Sequence, residues 1–203
     1  MAEYRAFDPC TLLAPVPAVL VSCRGTHPED KPNAMTVAWA GTVNSEPPMV
    51  SVSIRKSRFS HDLVADSGEF VVNLVSTDLV KALDYCGVRS GRDEDKLAAC
   101  GLKAIPAPGL RYAPAIDGVP AWLACRVHSV TDLGSHDMFI GEVVDVQVNE
   151  ALLDEGGSLH LERADLVCYS HGLYQRTADV LGFFGYSVAR PDVLEKRMAQ
   201  YGK

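Results

Sequence analysis

The sequence lacks the spacings that mark the commonest metal and nucleotide sites. It has no CxxC pair, no HExxH and no Cys/His cluster, so no metal centre is expected. No GxGxxG follows a strand-like run and no GxxxxGK[ST] occurs, which argues against a Rossmann dinucleotide site and a P-loop. The six cysteines, at positions 10, 23, 86, 100, 125 and 168, are dispersed in a chain large enough to fold without staples, and read as free thiols. There is no basic surplus either: the net charge is −7, which argues against nucleic acid or an anionic membrane as a partner. Long apolar runs are also missing. The longest, about Ala14 to Val21, is broken by two prolines, and Glu3, Arg5 and Asp8 do not fit a signal peptide. The expectation is a soluble, cytoplasmic protein whose 203 residues form one domain, 1–203.

Against this acidic background one stretch stands out, Asn33 to His61. Alternation puts Met35, Val37, Trp39 and Val43 on one face of a strand and Thr36, Ala38, Ala40 and Thr42 on the other. After the turn at Asn44 to Pro48, Val50, Val52 and Ile54 form an apolar face opposed by Met49, Ser51, Ser53 and Arg55. Small side chains let a planar ring approach the backbone, where N–H groups and hydroxyls reach its heteroatoms. The second strand then delivers Arg55, Lys56, Ser57, Arg58, Ser60 and His61 to a helix start, and free backbone donors beside guanidinium groups suit a phosphate. The pattern therefore predicts a site for a flat, phosphate-bearing cofactor. The same serines also suit an ordinary solvated sheet face, with Ser57 or Ser60 as a helix cap.

The rest of the chain reads as mainly β-structure. Strands are expected near 18–22, 35–43, 49–55, 69–75, 121–131, 139–148 and 166–170, and helices near 59–65, 78–86, 93–100 and 191–201. Thr77 is placed to cap the second helix and Gly87 to stop it, while Pro106 to Pro120 reads as an irregular excursion. Many strands with helices outside favour a β-barrel with flanking helices over a doubly wound sheet.

The segments NAMTVAWAGTV and EPPMVSVSIRKSRFSH, FVVNL at Phe70 to Leu74, and GSHDMFIGEVVDV at Gly134 to Val146 together resemble the flavin reductase-like, FMN-binding split-barrel family, in its flavoredoxin branch. The resemblance implies FMN as cofactor, NAD(P)H as reductant, an onward electron acceptor and a homodimer. It also implies site residues. Asn33, Met35, Thr36, Val37, Ala38, Trp39 and Ser53 would face the ring, and Arg55, Ser57, Arg58, Ser60 and His61 the phosphate. Asn73 would lie near the flavin, and Ser90 and Lys96, in a segment like the family's SGR-x-x-DK, would belong to a flavin-edge loop. His136 is the candidate contact to nicotinamide or flavin, although Ser135 stands where the family carries an acid. An FMN-binding electron carrier without efficient NAD(P)H turnover would share these residues. The aromatic segment Tyr169 to Tyr186 suits either a flavin shield, a dimer interface or a tail packed on the barrel.

Overall fold

The structure is a computed structural model that describes residues 1–201. Its elements run β1 (Val16–Pro17), β2 (Val19–Cys23), β3 (Asn33–Val37), β4 (Ala40–Ser45), β5 (Pro48–Arg55), α1 (Phe59–Ser67), β6 (Glu69–Leu74), α2 (Val80–Val88) and α3 (Lys96–Ala99). They continue with β7 (Ala104–Ile105), β8 (Ala115–Ile116), β9 (Ala121–Asp132), β10 (His136–Val148), β11 (Val167–Ser170), β12 (Leu173–Arg176) and α4 (Pro191–Ala199).

Seven strands form one sheet in the order β3-β2-β6-β9-β10-β5-β4, with every pairing antiparallel. The two edge strands, β3 and β4, are consecutive in sequence and joined by Ala38 and Trp39 alone. Two residues span only about 7 Å, so the sheet must curl until its edges meet, and the Ser53 N–H to Trp39 carbonyl bond of 2.9 Å stitches the seam. The result is a barrel split along β3.

Both faces of β2 are buried, which explains its continuous apolar run. One face, with Val19 and Val21, joins Val37, Val52, Ile54, Phe70 and Phe139 inside the barrel. The other, with Leu20, joins Val71, Leu83, Ile116 and Trp122 under α2 and the 106–120 excursion. That excursion is pinned by a buried carboxylate: Glu69 accepts from the backbone N–H groups of Arg111, Tyr112 and Ala113 at 2.7–3.1 Å.

Three expectations are corrected. The strand predicted over 35–43 breaks at Ala38 and Trp39, where the chain leaves its pairing with β2 for one with β5. The face assignment fails beyond the break, so Trp39 and Val43 are exposed. Gly87 does not stop the second helix but lies within α2, which ends one residue later at Val88; what the glycine provides is room for Thr36, whose side chain would lie 3.1 Å from an added Cβ. The third helix is one turn, not two, since the Asp95 carboxylate accepts from the Ala98 N–H at 3.0 Å and starts it there.

Candidate functional site

A polar cavity of about 280 Å3 opens where the end of β5, the start of α1 and the loop after α2 converge. Arg55, Arg58, Arg89 and Lys96 line it with Ser57, Ser60, Ser90 and Asn33, and no carboxylate belongs to the lining. Among the described residues neither Arg55 nor Arg58 forms an ion pair, and Arg89 has only Glu94 at 3.7 Å. In a chain of net charge −7, such a concentration of uncompensated cations fits a phosphate dianion. The α1 N-terminus adds donors: Arg58 is its cap residue, in extended conformation, and no side chain satisfies the first-turn amides.

Lys96 is the buried member of this set, 3% exposed, and its ammonium donates to the Cys86 carbonyl at 3.1 Å. Burial holds its pKa below the ordinary 10.5. Asn33 is also buried and donates to the Ser60 hydroxyl at 2.7 Å, which braces β3 against α1. Gly91 permits the loop to close here, since a Cβ would fall 2.4 Å from the Asn33 oxygen.

The cavity continues along β3 into a shallower strip of about 180 Å3, sharing Met35, Arg55 and Arg58 with it. Thr36, Val37, Ala38, Trp39, Ser53 and His136 line the strip. β3 pairs only with β2, so its outer backbone edge lies free of the sheet, and its small side chains leave that edge approachable by a planar ring. The Thr36 hydroxyl is tied to the Leu83 carbonyl, which fixes the strand against α2. Trp39 and His136 close the far side, ring centroids 4.7 Å apart. Burial, aided by the Arg55 guanidinium, lowers the His136 pKa from 6.5, so the imidazole is neutral at pH 7. Ser135 Oγ lies 2.9 Å from His136 Nδ1 and takes the place of an acid partner.

The structure thus gathers most of the residues expected from sequence, with two corrections. Asn73 is wholly buried and its amide is saturated by protein: it donates to the Leu20 carbonyl at 2.9 Å and the Ser22 hydroxyl at 2.8 Å, and accepts from the Ile116 N–H at 2.9 Å. It is a strut joining β2, β6 and β8, not a cofactor contact. His61 turns away from the cavity toward β10, where Nε2 meets Asp137 Oδ2 at 2.8 Å and the ring packs edge-on to Phe139. Arg89, Phe59 and Cys86 were not singled out in advance but line the cavity. Arg89 carried a signal, a base in a glycine-punctuated loop. Cys86 did not, and burial pushes its thiol up to about 12, which removes it as a nucleophile.

A mainly β barrel split along an edge strand, with helices on its outside, is the fold of FMN-binding split barrels. The flavoredoxin of Desulfovibrio vulgaris (Miyazaki F) superposes with a TM-score of 0.82 at 30% identity, over 89% of this chain and 97% of that one. An FMN-binding protein from Thermus thermophilus, solved with bound 1-cyclohex-2-enone, superposes with a TM-score of 0.72 at 28% identity, over 88% and 97%. A flavin reductase of Pseudomonas putida is 30% identical over 143 residues, 68% of this chain and 76% of that protein. Residues 13–177 match the flavin reductase like domain, and the chain belongs to that family. Members of the family are oxidoreductases. No helix among the described residues is long and apolar enough to cross a membrane.

Proposed function

We propose that the protein is an FMN-dependent oxidoreductase that takes hydride from NAD(P)H and passes electrons to an acceptor. The observation that carries this reading is the continuity of a carboxylate-free cationic cavity with the open edge of β3. Its donor set fits the FMN phosphate in charge and in the geometry of guanidinium and hydroxyl donors. Bound FMN would supply the redox chemistry, accepting hydride at its ring and releasing electrons onward.

The chain's own residues have binding and orienting tasks. Arg55, Arg58, Ser57 and Lys96 hold the phosphate, and Ser90 and Gly91 close the loop over it. Ser60 and Asn33 keep α1 and β3 at a fixed separation. Thr36 to Trp39 present backbone donors to the ring, and Ser53 lines its other side. Trp39 and neutral His136 limit water at the ring's outer edge, with His136 Nε2 free to meet the nicotinamide or the flavin. With Cys23, Cys86 and Cys125 held near pKa 12 by burial, no covalent step through these thiols is part of the reading.

The exposed apolar side chains Leu12, Leu13, Val43 and Phe184 support a homodimer, and six free cysteines suit the reducing cytoplasm. The test is anaerobic addition of NADH or NADPH to the FMN-loaded protein. Bleaching of the flavin band within a catalytic timescale is expected. Stable binding without bleaching by either nucleotide would instead identify an electron carrier.

A further inference from the structure

The loop between α2 and α3, residues 89–95, carries Ser90 and Gly91 into the lining of the cationic cavity. Most of its side chains are tied to their own neighbourhood: Glu94 accepts from the Tyr85 hydroxyl at 2.7 Å and pairs with Arg89 at 3.7 Å, and Asp95 caps α3. Among the described residues of this loop, Arg92 alone sends a side-chain hydrogen bond or ion pair beyond residues 85–98. Its guanidinium donates to the Ser57 carbonyl at 3.0 Å and to Asp62 Oδ2 at 2.6 Å, and lies over the Phe59 ring, 5.3 Å from the centroid. All three contacts fall on the segment that brings Ser57, Arg58 and Ser60 to the cavity. Arg92 itself is not part of the cavity lining. The far side of the same segment is fixed to the barrel, since Lys56 Nζ lies 2.7 Å from Asp132 and 3.4 Å from Asp137, and Asp137 also holds His61. The phosphate-binding turn is therefore anchored, and Arg92 fastens the loop to it.

We propose that Arg92 is a positioning residue for the cofactor: it clasps the 89–95 loop to the phosphate-binding turn, and FMN is retained as a prosthetic group because its phosphate leaves only when the clasp opens. A planar guanidinium fork can serve a carbonyl, a carboxylate and an aromatic face together, which a lysine ammonium cannot. The ion pair is the lesser part, since the Arg92 and Asp62 side chains are 46% and 57% exposed and solvent screens such pairs. The stack on Phe59 and the bond to a backbone carbonyl carry the rest. Gly91 lets the loop seat fully, because a Cβ there would fall 2.9 Å from Phe59 Cδ1. The inference rests on the FMN reading for its ligand. The clasp acts at the phosphate end alone, so it bears on FMN and not on riboflavin.

The test is rapid dilution of the FMN-loaded protein, read by the return of flavin fluorescence, beside hydrogen exchange on the FMN-free chain. Arg92→Ala is expected to release FMN about tenfold faster, the factor that one charge-assisted hydrogen bond sustains, while riboflavin affinity stays within about twofold. Arg92→Lys keeps the charge without the fork and should stay closer to the alanine variant than to the wild type. Asp62→Asn removes one contact of the three and should speed release by a smaller factor. In the FMN-free chain the amides of Arg92 and Asp93, which donate to Ser90 Oγ and to the Ser90 carbonyl at 3.2 Å, should exchange faster in Arg92→Ala, again by about tenfold. Unchanged FMN release, an equal effect on FMN and riboflavin, or unchanged exchange overturns the proposal. A wild-type chain that takes up no FMN would overturn the cofactor reading instead, and the exchange measurement would still decide the clasp.

Discussion

Arg58 and Ser60 sit two residues apart and line the same cavity, yet their environments separate their roles. Arg58 has no ion-pair partner among the described residues, so Arg58→Ala should weaken FMN by about 1.5–3 kcal/mol, the scale of charge-assisted bonds, with little change in stability. Ser60 is 2% exposed and accepts from Asn33, so Ser60→Ala strands a buried amide and should lower unfolding free energy by about 1–3 kcal/mol. Urea unfolding and flavin fluorescence quenching on each variant check both. Equal effects of the two changes on both readouts would refute the division. Lys96 gives a pH signature. Its native pKa lies below 10.5, mainly through burial, so between the two values the unfolded chain binds more protons than the native one. Stability from this group therefore rises with pH in that window, and below it the penalty is complete. Lys96→Met should make the FMN-free protein more stable at pH 7, flatten that rise, and weaken FMN. Thermal unfolding from pH 7 to 10 reads the first two effects, and a destabilised variant with an unchanged slope would contradict them.

At the scale of elements, the local pattern was enough to place β2, β5, β6, β9 and β10, because each keeps the same neighbouring strands, even where β9 and β10 shift register. It failed at Ala38 and Trp39, where one apparent strand serves both edges of the barrel. No local pattern announces a change of pairing partner, so the seam that exposes Trp39 became visible only from the sheet order. Gly87 and Asn73 failed for a related reason: a glycine near a helix end and an amide in an apolar strand are each assigned by neighbours 43 or more residues away, Thr36 for one, and Leu20 and Ile116 for the other. The cationic set at 55 to 60, contiguous in sequence, was legible. Gly141 illustrates how tightly the barrel strands are matched. It lies in β10 at a register shift, and an added Cβ would fall 2.5 Å from Phe70 Cζ, a ring with no solvent exposure. Gly141→Ala should cost about 1–3 kcal/mol of stability by overpacking. A variant with an unchanged urea midpoint would mean that the barrel interior yields more readily than its packing implies.

For the molecule as a whole, the sheet closes so that one edge strand carries a cationic cavity at its α1 end and, beside α2, a cavity with no Arg or Lys in its lining. On the proposed reading this polarity sets how FMN lies along β3: phosphate toward Arg58 and Lys96, ring toward Trp39 and His136. The central claim is that the phosphate anchors the cofactor, and the most direct measurement compares FMN, riboflavin and FAD by fluorescence-quenching titration of the cofactor-free protein. The account predicts that FMN binds about 100-fold more tightly than riboflavin, as two charge-assisted hydrogen bonds of about 1.5 kcal/mol each require, and more tightly than FAD. Riboflavin binding as well as FMN, or FAD binding better, would contradict it.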